Sequence, residues 1–166
     1  MPFNVVLVTP EIPQNTGNII RLCANTGARL HLIEPLGFDL SQKNLRRASL
    51  DYRHLADVAV HQSLDSVLEA TDLSRVFACE VGGTKNYTEV EYQDGDTVIF
   101  GSEGTGLLDD VMSKMLPGNR IEIPMMPSNR SINLSNAVAV VLYEMWRQQS
   151  FAGKELPTPE SQEYFS

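Results

Sequence analysis

Apolar and polar positions along the chain follow two periods in turn. Short apolar runs at residues 3–8, 30–33 and 98–100 predict buried strands, and residues 75–80 and 120–123 read the same way. Val58 and Val60 suggest one further short strand. Between these runs the spacing turns helical. A helix over residues 19–25 is opened by Asn15-Thr16-Gly17-Asn18 and ended by Thr26-Gly27. Others are expected at residues 41–48, 63–70 and 107–115. The strongest pattern is the last: Leu134, Ala137, Val138, Val141, Leu142 and Met145 share one helical face, with Ser131 or Asn133 as the cap. Val138, Val140 and Val141 are β-branched and would also suit a buried strand, but the run exceeds a strand's usual length. Ala139, Val140, Tyr143 and Trp146 add a second apolar stripe, so this helix must be covered on more than one side. Strand and helix alternating through short links predict an α/β fold with a mostly parallel sheet.

Size and charge narrow the reading. With 166 residues and 42% hydrophobic content, the chain suits one globular domain over residues 1–150, followed by a mobile tail over 151–166. No run is long and apolar enough to span a membrane, and the first residues lack the basic start of a secretory signal. Cys23 and Cys79 lie among apolar neighbours and read as reduced thiols of a cytoplasmic protein. Three scattered histidines give no metal signature. The net charge of −8 argues against a nucleic-acid partner, but its distribution points the other way. From Arg21 to His54 six cations face three anions, a net +3, leaving −11 on the rest. One basic segment on an acidic body suits a localised anionic substrate, or is simply a solvated face.

Candidate chemistry gathers where strands end. In an open parallel sheet, ligands bind beyond the carboxyl ends of the strands. Residues 9–18, 101–106 and 124–133 leave such ends and are rich in Gly, Pro, Ser and Asn. The second is Gly-x-x-Gly-x-Gly, which is not the dinucleotide fingerprint, and no Gly-Lys-Ser/Thr phosphate loop exists. Each turn could be only a turn; three at strand ends make a site.

Three stretches carry a specific resemblance. They are Asn15-Thr16-Gly17-Asn18-Ile19-Ile20-Arg21, Phe100-Gly101-Ser102-Glu103-Gly104-Thr105-Gly106-Leu107, and Ile123-Pro124-Met125 through Arg130-Ser131-Ile132-Asn133-Leu134-Ser135-Asn136-Ala137. In this order they resemble the motifs of the SPOUT RNA 2′-O-methyltransferases, above all the short bacterial enzymes acting on the tRNA wobble nucleotide. The resemblance implies a Rossmann-like sheet with a C-terminal deep trefoil knot, which no spacing argument could have produced. It further implies a homodimer, S-adenosyl-L-methionine as cofactor with S-adenosyl-L-homocysteine as product, and a tRNA anticodon stem-loop as substrate. By position, Cys79, Gly101, Ile123, Ser131 and Leu134 would hold the cofactor.

The reaction needs a ribose hydroxyl to lose its proton as it attacks a methyl group. The resemblance offers Arg21 as base, although arginine is normally a permanent cation and could instead bind phosphate. Asn18 could orient Arg21 or the ribose. Glu103 could hold either, or be a helix N-terminal carboxylate stabilised by the dipole. Ser131 and Asn133 could orient cofactor or ribose, or cap their helix. Arg130, with Lys43, Arg46 and Arg47 of the basic segment, would bind phosphate. Thr105, Ile132 and Asn129 stand where relatives often carry Arg, Met and Ser. Two alternatives stay open: ribose methylation of ribosomal RNA, and a non-catalytic RNA-binding or nucleotide-sensing module.

Overall fold

The computed structural model of the chain describes residues 2–39 and 57–154. The expected helix over 41–48, with Lys43, Arg46 and Arg47, lies outside these residues, as do residues 155–166 of the tail.

Among the described residues seven strands form one sheet: β1 (Asn4–Val8), β2 (Arg29–Ile33), β3 (Asp57–His61), β4 (Val76–Cys79), β5 (Lys85–Asn86), β6 (Thr97–Phe100) and β7 (Arg120–Glu122). Their spatial order is β3-β2-β1-β6-β4-β7-β5, with every pairing parallel. The central strands carry apolar runs, Val5–Val8 and Val98–Phe100, because both faces are covered; all four residues of β6, Thr97 among them, are buried. On one face lie α1 (Pro13–Thr26) and α4 (Leu134–Gln148). There Leu7, Leu30, Phe77 and Phe100 pack with Ile19, Ile20, Cys23, Val138, Val141 and Met145. On the other face lie the short helices α2 (Asp65–Leu68) and α3 (Asp109–Ser113), where Val6, Ile33, Ala78 and Ile99 meet Val67, Leu68 and Val111.

Several boundaries differ from the sequence reading. α1 begins at Pro13, two residues before the expected opening, because proline at the first helical position lacks only an N–H that would go unpaired. Asn15, Thr16 and Gly17 are therefore buried inside the helix. Its end is as expected, at Gly27 with φ of 71°. α2 and α3 are each shorter than expected. β5 was not expected at all: Lys85 and Asn86 give no apolar signal, and pairing with Ile121 and Glu122 of β7 makes the strand. Asn133 caps α4 by accepting from the amides of Ser135 and Asn136.

The second stripe of α4 is half-covered. Tyr143 is 44% exposed, while Trp146 packs edge-on against Phe151 and donates its indole N–H to the carbonyl of Ala152 at 3.0 Å.

Candidate active site

Because all strands are parallel, the loops after β1, β4, β6 and β7 leave the same edge of the sheet. They enclose a cleft of about 530 Å³. Cys79, Glu80, Gly101, Glu103, Ile123, Arg130, Ser131, Asn133 and Leu134 line it, together with Ile12, Asn15 and Phe100.

The loop over residues 101–106 folds back on itself. A Cβ on Gly101 would lie 2.0 Å from the carbonyl carbon of Gly106 and 2.3 Å from the amide of Leu107, so only glycine allows this closure. Gly106 has φ of 68°, and its amide donates to Ser102 O at 2.9 Å. Thr105 closes the turn from within: its hydroxyl lies 2.8 Å from that of Ser102. Glu80 ties this loop to the end of β4, accepting from the amides of Leu107 at 2.6 Å and Val81 at 2.9 Å.

Of the roles expected for Glu103, the structure shows the helix N-terminal carboxylate, and the helix is α1. Its carboxylate accepts from the amides of Glu11 at 2.7 Å and Ile12 at 3.1 Å, and from Asn15 Nδ2 at 2.9 Å. It therefore sits at the N-terminus of α1, where the helix dipole favours a negative charge, and serves a helix that has no side-chain cap of its own. Asn15 in turn accepts from Asn133 Nδ2 at 3.0 Å, and Asn133 Oδ1 caps α4. Glu103, Asn15 and Asn133 thus form one relay that joins the loop after β6 to the first turn of α1 and the cap of α4. Asn15 was missed as a site residue because both partners lie far off in sequence. The proline at the helix start was the available signal that it sits in the first turn.

The cleft wall is apolar at Ile12, Phe100, Ile123, Leu134 and Ala137. Burial first, then the nearby Glu80 charge, pushes the Cys79 thiol up to about 12, so it stays protonated and acts as a small apolar surface. Arg130 supplies a cation on the rim.

The expected catalytic set is divided. Glu103, Ser131 and Asn133 line the cleft; Asn18 and Arg21 lie on the exposed face of α1. Arg21 follows Asn15 by six residues, a helix rise of about 9 Å. Among the described residues no group of three or more His, Cys, Asp or Glu could hold a metal ion. No described helix is long and apolar enough to cross a membrane.

Residues 2–143 match the model of the SpoU rRNA Methylase family. The chain is 50% identical over 151 residues to the tRNA (cytidine(34)-2'-O)-methyltransferase of Methylovorus glucosotrophus (strain SIP3-4), covering 91% of this chain and 98% of that protein. A solved structure described as giving insights into the 2-OH methylation of C/U34 on tRNA superposes with a TM-score of 0.83 and 42% identity, covering 89% of this chain and 96% of that one. An AdoMet-bound rRNA methyltransferase from Sinorhizobium meliloti shares the fold, with a TM-score of 0.77 and 24% identity over 88% of this chain and 56% of that one.

Proposed function

The chain belongs to the SpoU rRNA methylase family, and from that premise we propose that it methylates the ribose 2′-hydroxyl of a tRNA nucleotide, with S-adenosyl-L-methionine as donor. The target is nucleotide 34, in the anticodon stem-loop. The observation that carries this reading is the cleft at the carboxyl edge of the sheet, in a chain half identical to a cytidine-34 enzyme over nearly its whole length.

The cleft suits the cofactor. Its volume falls within the roughly 300–1,000 Å³ of small-molecule sites. Ile123, Leu134 and the protonated Cys79 offer apolar contact to a purine. The closed backbone of Gly101 lets the wall approach a ligand without a side chain between. Ser131 offers a hydroxyl. When bound, the cofactor supplies the electrophilic methyl group.

The chain's own residues do the rest. Arg130 on the rim binds substrate phosphate. Arg21 holds a phosphate bidentately and sets that phosphate oxygen where it receives the hydroxyl proton. Asn18, one turn earlier on α1, orients Arg21 or the ribose. Glu103 acts through α1: by fixing the N-terminus of that helix and Asn15, it sets where Asn18 and Arg21 stand relative to the cleft. Asn133 fixes the start of α4 and hence the loop before it. Lys43, Arg46 and Arg47 add phosphate contacts.

Residues 1–150 act as a single cytoplasmic domain whose C-terminal segment is threaded as a deep trefoil knot. The working form is a homodimer, supported by the second apolar stripe of α4, where Ala139, Val140 and Trp146 are only part-buried and Tyr143 is exposed. Light scattering at micromolar concentration should give twice the chain mass; a monomer would remove that part of the proposal.

The activity is tested by incubating purified protein with S-adenosylmethionine and unmodified tRNA or ribosomal RNA, then digesting to nucleosides. A 2′-O-methylated nucleotide 34 in tRNA is expected. Methylation of ribosomal RNA alone, or cofactor binding with no transfer, would replace this reading with the corresponding alternative.

A further inference from the structure

On the face of the sheet opposite α1 and α4, and away from the cleft, two histidines meet. His31 of β2 and His61 of β3 bring ring nitrogens Nδ1 and Nε2 to 3.0 Å, with the rings tilted by 34°. The pair is wired at both ends to backbone carbonyls. Asn4 Nδ2 donates to Gly95 O at 3.0 Å, which turns Asn4 Oδ1 towards His31 Nε2 at 3.3 Å. At the other end the Ser66 hydroxyl donates to Ser63 O at 2.8 Å and lies 3.4 Å from His61 Nδ1.

These ends fix the proton pattern. Asn4 Oδ1 can only accept, so His31 carries its hydrogen on Nε2 and presents a lone pair at Nδ1. His61 must then donate from Nε2. Ser66 has committed its one hydrogen to Ser63, so it can only accept from His61 Nδ1. The contact between the rings accommodates one bridging proton and no second. Protonating His31 would set its Nδ1–H against the N–H of His61.

From this geometry we infer that His31 and His61 form a proton-operated latch, which fastens β3 to β2 while a single proton bridges the rings and releases it when a second proton enters the contact. β3 is the edge strand of the described sheet, so it has one described strand neighbour to hold it. It is also where the chain re-enters the sheet after residues 34–56, which contain Lys43, Arg46 and Arg47. The inference does not depend on the reaction the cleft performs.

Other charged groups nearby are already committed or exposed. Arg29 and Asp57 pair with each other at 2.9 Å on the same two strands. On α2, Asp65 pairs with Lys114, and Glu69 follows the helix exposed to solvent. Glu34 is exposed, and its amide donates to His61 O at 2.9 Å. β1 contributes only the neutral Asn4. Burial chiefly, then the charge of His61, lowers the His31 pKa; Asp57 opposes this and Arg29 adds to it. Held below its ordinary 6.5, His31 stabilises the closed latch fully above that pH. As pH falls below it, the open state binds the extra proton and the stabilisation is lost.

The test is amide hydrogen exchange of the full chain from pH 7.5 to 5.0, corrected for intrinsic rates. Protection of the β3 amides should fall by about tenfold or more relative to β6, since each unit below the free pKa is worth up to tenfold in opening. His31→Gln keeps one acceptor and one donor but does not titrate, so its β3 protection should not depend on pH. Parallel loss in β3 and β6, or an unchanged pH dependence in His31→Gln, would overturn the latch. Should that variant fail to fold, ring nitrogen NMR of the wild type decides. One of the two facing nitrogens, His31 Nδ1 or His61 Nε2, must remain an acceptor for as long as β3 stays protected. Joint protonation of both rings with unchanged β3 protection would refute the inference.

Discussion

Asn15 is the residue on which the relay from Glu103 to Asn133 depends, and removing its side chain should expose that dependence. It is 5% exposed, so water cannot replace the lost partners. Asn15→Ala deletes a donor to a carboxylate at 2.9 Å and an acceptor for an amide at 3.0 Å. A hydrogen bond to a charged group is worth about 1.5–3 kcal/mol and a neutral one about 0.5–1.5, so Asn15→Ala should cost about 2–4 kcal/mol. Glu103 keeps two backbone donors, which holds the loss to the lower part of that range. Urea unfolding, followed by the fluorescence of the one tryptophan, Trp146, should show a lower midpoint at an unchanged m-value. Asn15→Asp should be worse than Ala at pH 7, because it places a second carboxylate against Glu103, and should partly recover in acid. A double-mutant cycle of Asn15→Ala with Glu103→Ala should return a coupling of about 1–2 kcal/mol. Loss within about 0.5 kcal/mol, the scale of an ordinary surface substitution, together with no coupling, would refute the relay.

Gly101→Val should abolish S-adenosylhomocysteine binding measured calorimetrically in EDTA, since its Cβ would meet the Gly106 backbone at 2.0 Å; unchanged affinity in a folded variant would place the cofactor elsewhere. Arg21→Ala should lower single-turnover methylation by roughly 10²–10⁴-fold at saturating tRNA with cofactor affinity unchanged, and Arg21→Lys should restore little because the planar fork is lost. A wild-type rate at saturation would make Arg21 a binding residue only. Replacing Lys43, Arg46 and Arg47 together with Ala should weaken tRNA binding and flatten its dependence on salt, the log–log slope falling by roughly 0.7–0.9 for each phosphate no longer neutralised; an unmoved slope would make the segment a solvated face.

Much of the fold was legible because both sheet faces are covered. That burial forces apolar runs into β1 and β6 that a strand reading finds directly. α4 was legible for the complementary reason, a long helical period with Asn133 at its start. Three features were not legible, and each depends on contacts distant in sequence. β5 is two polar residues made into a strand by β7. The start of α1 is stabilised by Glu103, 92 residues from Glu11. Asn15 and Asn18 occupy one short motif, and only the fold separates the buried one in the cleft from the exposed one outside it. The loops at the carboxyl edge were recognisable by composition and by resemblance. Their mutual closure, through Glu80 and the backbone of Gly106, is a property of the folded edge alone.

Ribose methylation of nucleotide 34 is tested most directly by nucleoside mass spectrometry of cellular tRNA with and without the gene. The expected result is a 2′-O-methylated nucleoside at position 34 that disappears on deletion and returns with the wild-type gene but not with Arg21→Ala. An unchanged tRNA profile, with a 2′-O-methyl group lost from ribosomal RNA instead, would contradict it.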